Sequence, residues 1–492
     1  MGTVAPGRAP RRRRRIAALA WAAALLTGCQ GGVPGEGSTG ATPTPPPSAA
    51  DAPAAPQRPD ESGRGAPGGG PSGPGSPGGA GGPAGSDGDG GRGEPGAGEG
   101  TARADGHGAP GDDDAGAGGG REEHTTGGDD APGEVIFTIL SAGDVLPHHS
   151  VNVAAQRGDG SYDYVPLMSA LEPWTAGADL ALCSLEVPLA PPGEPVTAYP
   201  VFGAPQELVH SLAELGWDGC STATNHALDR GLEGAAHTLD VLDAVGLGHV
   251  GTARRPAEAA APQLYELERA GRRVVVAHIA ATSVVNGPGP PAGAEWALRR
   301  LDVGELIAQA AAARAAGADV VVASLHWGTE YVLAPVAEQV RAAQALAGSG
   351  EVDLVLGAHP HVAQPLEELP GGPGGEGMWV AWSMGNFISN QDVVCCVMET
   401  ATGVLVTATV RVPARGDVTV EAGWTAVTVD RAGGQRVHLL HELAAGARPP
   451  GLTLDPATIG ARAARVTEVM GTPERTEPPR PTGPGPRVVG RD

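Results

Sequence analysis

From residue 135 onward, two hydrophobic patterns alternate along the chain. Short, nearly continuous apolar runs recur at Val135–Leu140, Asp179–Leu185, Trp217–Thr222, Arg273–Ala280, Asp319–Leu325, Val352–Leu356 and Met378–Ser383. Between them, Pro205–Leu215, Leu232–Val245, Val303–Ala316 and Ala337–Ala347 carry apolar residues at helical spacing. Runs such as DVVVASL and EVDLVLG leave no polar face, as expected of strands covered on both sides. This alternation predicts an α/β sandwich. After Asn390 the pattern changes. Val404–Val412 and Val418–Val429 read as strands without intervening helices and predict a closing antiparallel segment.

Composition sets the limits of that fold. Glycine (78) and proline (47) make up a quarter of the 492 residues and are densest before residue 134. Segments such as PSGPGSPGGAGGPAG bury too little surface to offset the entropy of ordering a backbone. Residues 30–133 therefore read as a disordered, acidic, Gly/Pro/Ala-rich tether, with a reach on the order of 55 Å as flexible coil. Residues 134–471 are expected to form one folded domain. From Thr472 the sequence TPERTEPPRPTGPGP predicts a disordered tail over 472–492.

The amino terminus reads as an address. Arg8 and Arg11–Arg15 precede an apolar stretch from Ile16 to Leu26. That stretch is too short to span a bilayer, which needs about 20 residues, and the layout is that of a secretory signal. Leu26-Thr27-Gly28-Cys29 resembles a bacterial lipobox, so residues 1–29 are expected to leave Cys29 lipid-modified and the protein on the outer face of the cell membrane. The net charge of −23, with no lysine in the chain, argues against nucleic acid as a partner. Cys183 and Cys220 sit in apolar, strand-like stretches and read as buried hydrophobes; Cys395 and Cys396 are adjacent.

Metal-capable residues fall repeatedly at the carboxyl ends of the runs: Asp144 and His148, Glu186, Asn225-His226, His326, and His359-Pro360-His361. Singly, Asp144 also suits a helix cap, Asn225-His226 a turn, and His326 a hydrogen-bonded rim residue. Together they are more telling. Ligands of open α/β sheets bind beyond the carboxyl ends of the strands, where residues distant in sequence converge. Carboxylates, an amide and imidazoles in one place form an N/O donor set suited to Zn, Mn or Fe. His149, His210, His237, His278 and His438 fit no strand end and are assigned to surface or structure.

With these residues in place, the chain resembles the CapA family of poly-γ-glutamate capsule biosynthesis proteins. The phrases that carry the resemblance are Gly143-Asp144-Val145-Leu146 with His148, Ser184-Leu185-Glu186, and Thr224 through Gly231 (TNHALDRG). His326 through Tyr331 (HWGTEY), His359 through Gln364 (HPHVAQ) and Ser383 through Phe387 (SMGNF) complete it. The resemblance implies a four-layer α/β/β/α sandwich like that of calcineurin-like metallophosphoesterases, with one or two divalent ions. It places Asp144, His148 and His361 on one metal, and Asn225, His326 and His359 on the second. Glu186 falls at the bridging position, where those enzymes have aspartate, and His226 at the position that assists the leaving group. Ser184 and Ala358 depart from the family's usual asparagine and histidine.

Two functions follow from the resemblance. One is a metal-dependent hydrolase acting on a phosphoester or an anionic polymer. The other is a non-catalytic, lipid-anchored subunit that works with membrane partners in envelope polymer synthesis or export.

Overall fold

The computed structural model describes residues 133–471 and 474–491; the signal, the Cys29 lipobox and the tether lie outside them. Fifteen strands form among these residues: β1 (Val135–Val145), β2 (Leu180–Leu185), β3 (Gly219–Ser221), β4 (Gly248–Val250), β5 (Gln263–Arg269), β6 (Arg272–Thr282), β7 (Val320–His326), β8 (Leu354–Ala358), β9 (Ala363–Leu369), β10 (Met378–Met384), β11 (Asn386–Ile388), β12 (Thr402–Val412), β13 (Thr419–Asp430), β14 (Arg436–Leu439) and β15 (Arg487–Val489). They make two sheets, ordered β14-β13-β12-β1-β2-β3-β4, with β11 also on β1, and β15-β5-β6-β7-β8-β10-β9. Strands β1 to β4 run parallel, as do β6, β7, β8 and β10. Strands β12 to β14 return antiparallel, the closing segment the sequence predicts.

Burial shows why the runs were apolar throughout. Val320 and Val322 of β7 join a core between the two sheets with Phe137, Leu182, Val276 and Trp424. Val321, Ala323 and Leu325 face the other way, onto the helices Val303–Ala315 and Ala337–Ser349. On the far side of the first sheet, Leu140, Ala142 and Ala181 pack with Leu208 and Leu212 of the helix Glu207–Glu214 and with Leu239 and Leu242 of the helix Gly231–Val245. Helices, two sheets and helices stack as the four-layer α/β/β/α sandwich.

The helix Pro456–Met470 covers one edge of the inter-sheet core, inserting Ile459, Val466 and Met470. Its start is encoded locally. Proline at the first position costs no hydrogen bond there, and the Asp455 side chain accepts the Thr458 N–H at 2.8 Å.

One expectation is corrected. The segment after Gly471 is no disordered tail where it is described. Arg475 N–H donates to Trp424 O, β15 pairs with β5 at the sheet edge, and Arg491 is buried with its guanidinium on His249 Nδ1 and Thr252 O. Its Pro/Gly-rich composition hid this, because the strap is held by edge pairing and side-chain hydrogen bonds rather than by an apolar face. Cys183 and Cys220 are buried as expected, and their pairing, which the sequence leaves open, is a disulfide: they lie opposite each other in the β2–β3 register. Cys395 and Cys396 are free thiols.

Candidate metal centre

The carboxyl ends of β1, β2, β7 and β8 meet at one place, and the chain brings most of its candidate ligands there. β1 runs further than its apolar run suggested, so Asp144 lies inside the strand rather than after it, paired to both Ser184 and Asn386. This needs glycine beside it. A Cβ on Gly143 would stand 1.9 Å from the Gly385 carbonyl oxygen, which itself accepts the Asp144 N–H at 2.9 Å. Glu186 follows β2 directly, His326 ends β7, and His359 follows β8. His359 and His361 both have positive φ (96° and 59°). For residues with a Cβ such backbone is strained, and it clusters where function requires it.

Asp144, Glu186 and His361 each offer a ligand atom, all within 4.8 Å of one another and all buried. His361 Nδ1 lies 3.2 Å from Asp144 Oδ2, and its Nε2 lies 3.6 Å from Glu186 Oε1. His326 also approaches the same two acids, 3.9 Å from each, while its Nε2 is 2.8 Å from Asn225 Oδ1. Both carboxylates thus lie within 4 Å of two imidazoles. The His359 ring lies 4.9 Å from that of His326, and the His359 N–H donates to Asp144 Oδ2 at 3.3 Å.

Two predicted residues stand beside this cluster instead. His148 has Nδ1 on Leu146 O at 3.0 Å, and its ring meets the edge of Phe202 at 5.3 Å. His226 packs on the same phenyl ring at 4.7 Å, with Nδ1 2.7 Å from Asp229 Oδ2. Sequence reasoning had given Asp229, Phe202 and Asn286 no role. Asp229 carried a signal, three residues after His226 in the quoted phrase. Phe202 and Asn286 reach the site through tertiary contacts alone, Asn286 placing Nδ2 3.3 Å from both His226 ring nitrogens. Asn386, within the quoted SMGNF phrase, holds His361 Nδ1 at 3.1 Å.

Electrostatics separates the members. Burial pushes Glu186 well above the usual carboxyl range, with Asp144 adding to the shift against the pull of His361. Burial also holds His326 well below the ordinary imidazole value and brings His148 and His359 down to about 4. For His361 burial opposes the charge, yet the Glu186 and Asp144 carboxylates raise it to about 10. The two acids draw positive charge into a buried site.

The donor set fits a divalent ion. Both Glu186 carboxylate oxygens, His326 Nδ1 and His359 Nδ1 are buried without a hydrogen-bond partner. Such groups are rare in folded proteins, and two oxygens with two imidazole nitrogens are what a borderline or hard cation takes.

Comparisons with known proteins bear on this site. The family model described as bacterial capsule synthesis protein PGA_cap matches residues 138–391. The PGA biosynthesis protein CapA of Bacillus subtilis is 28% identical over 193 residues, 38% of this chain and 46% of that protein. A probable polyglutamine synthesis accessory protein of Mycobacterium tuberculosis is 30% identical over 211 residues, 40% of this chain and 53% of that one. The match thus spans about half the length of these relatives. Among solved structures, the NAD nucleotidase of Haemophilus influenzae aligns at 12% identity with a TM-score of 0.37, covering 68% of this chain and 60% of that one. The calcineurin-like phosphoesterase YfkN of Bacillus subtilis aligns at 14% identity with a TM-score of 0.34, covering 68% and 97%. The family match covers more than half of the 492 residues and every residue of the buried cluster, and the chain belongs to the CapA-type bacterial capsule synthesis protein family.

Proposed function

We propose that the protein is a metal-dependent hydrolase of capsule synthesis, acting on a phosphoester or on a capsule polymer. Glu186 carries this reading: a fully buried carboxylate with neither oxygen hydrogen-bonded, facing a second carboxylate and imidazoles, is built for a cation. Asp144, Glu186 and His361 would hold it, with His326, His359 and Asn225 adjoining. A divalent ion bound there supplies charge that polarises a phosphoryl or carbonyl oxygen and acidifies water. The chain's own contribution to proton transfer is His226. Asp229 accepts from Nδ1–H and orients the ring, so that the doubly protonated imidazole can give its Nε2 proton to a departing oxygen and remain neutral with Nδ1–H on Asp229, while Phe202 holds the ring in place. Asp229 is itself anchored by the Phe202 N–H at 2.7 Å.

The names of the relatives support placing the substrate among capsule polymers or their precursors. The Cys29 pattern, outside the described residues, supports an extracytoplasmic, lipid-anchored location, where membrane capsule-synthesis subunits are the expected partners.

His226→Gln tests the catalytic step. The variant should keep its metal and its melting temperature while turnover of an activated phosphoester with added Mn²⁺ falls roughly 10²–10⁴-fold. Unchanged turnover would remove His226 from the mechanism. If metal-loaded wild type hydrolyses no phosphoester or amide, the non-catalytic subunit becomes the better account.

A further inference from the structure

At the same end of the sheets as the metal cluster lies a cleft with no part in the chemistry above. Its place follows from register. Ala363 comes two residues after His361 and pairs with Met384. Thr402 opens β12, and since Leu405 pairs with Ala142, Thr402 lies at the Asp144 end of β1. The helix Pro456–Met470 closes the other side. The cleft is small and open to solvent, and Leu333, Met398 and Val466 give it apolar walls beside Thr402, Arg462 and Glu399.

Arg462 is the unusual member. It is only 8% exposed, and its hydrogen bonds among the described residues are both made by Nη1, to Thr428 Oγ1 at 2.7 Å and Val429 O at 3.0 Å. Both acceptors are neutral, and no ion pair to Arg462 forms among the described residues. Its Nε is buried without a partner, and so is Thr402 Oγ1 in the same wall. Asp392 and Asp430 act on Arg462 only from beyond ion-pair distance, and a native fold seldom keeps two orphaned polar atoms in one cleft without use for them. Nε and Nη2 together form the edge of a guanidinium that matches the two oxygens of a carboxylate. The neighbouring Arg465 does not compete, being held by Glu399 and Glu468.

We propose that this cleft is a subsite for a carboxylate on a short aliphatic stem, with Arg462 gripping the head, Thr402 beside it and the apolar walls taking the methylenes. Its role as a substrate subsite rests on the hydrolase reading; the binding does not. Glutarate is the probe, with glutaramide as its uncharged control, titrated calorimetrically into the full-length protein in chelator so that no metal contributes. Wild type should bind glutarate and take glutaramide at least tenfold more weakly. Arg462→Gln should weaken glutarate roughly tenfold to hundredfold, as expected for a charge-assisted hydrogen bond. Thr402→Val should weaken it several-fold. Thr402→Val also gives a second reading if Arg462→Gln fails to fold. No binding to wild type, equal binding of glutaramide, or unchanged affinity in both cleft variants would overturn the proposal. None of these readouts requires turnover, so failure here leaves the hydrolase reading standing, and the reverse holds too.

Discussion

Replacing Asp179 should cost this fold more than any single surface change, because one carboxylate ties three parts of it together. Asp179 is fully buried just before β2. Its Oδ1 accepts from Arg269 Nη2 at 2.8 Å and from the Thr482 N–H at 2.7 Å. Its Oδ2 accepts from the Thr138 N–H at 2.9 Å and the Thr138 hydroxyl at 3.2 Å. The first sheet, the second sheet and the carboxyl-terminal strap all meet there. Asp179→Ala removes these bonds and strands the charge of Arg269, whose side chain is 4% exposed. Breaking a buried ion pair from one side costs roughly 3–5 kcal/mol, a large part of a typical stability of about 5–15 kcal/mol. Asp179→Ala with Arg269→Met should recover much of that loss, because the stranded charge is gone. Urea denaturation midpoints measure both, and limited proteolysis around Thr482 reports release of the strap. A single variant within about 1 kcal/mol of wild type, or a double variant worse than the single, would refute the reasoning.

Two further outcomes are expected. Cys183→Ala with Cys220→Ala opens a loop of sequence separation 37 and should lower stability by roughly 4 kcal/mol if loop entropy dominates; a double variant that unfolds at the wild-type urea concentration would show that the bond contributes nothing. At the amino terminus, mass spectrometry of membrane-partitioned protein should find a lipid on Cys29, and an unmodified Cys29 in a cleaved, membrane-free protein would contradict the proposed location.

What the sequence disclosed and what it withheld have physical reasons. Strands β2, β7 and β8 were legible because burial on both faces leaves a continuous apolar run, and His326, His359 and Glu186 were legible because they sit where those runs stop. Strand β5 was not, since QLYELER buries Gln263, Tyr265, Leu267 and Arg269 in alternation and two of the four are polar. Strand β4, three residues long, offers no pattern to read. The Cys183–Cys220 bond depends on the β2–β3 register, which no local signal specifies. His148 was placed on a metal by the resemblance; its ring also meets Phe202, more than fifty residues away, a contact that no local signal specifies. Arg462 drew no reading from the sequence, and only the packed fold shows that it is buried with no ion pair among the described residues.

The central claim is that Asp144, Glu186 and His361, with the imidazoles beside them, form a divalent-metal centre. Metal analysis of purified protein by mass spectrometry, after loading with Mn²⁺, Zn²⁺ or Fe²⁺ and removal of free ion, tests it most directly. The account predicts one or two bound equivalents in wild type and a clear loss in Glu186→Gln and His361→Ala, with the metal-dependent gain in melting temperature lost alongside, since an ion bound only by the folded state stabilises it. Folded wild type that retains none of the three ions, or variants that hold as much metal as wild type, would contradict it.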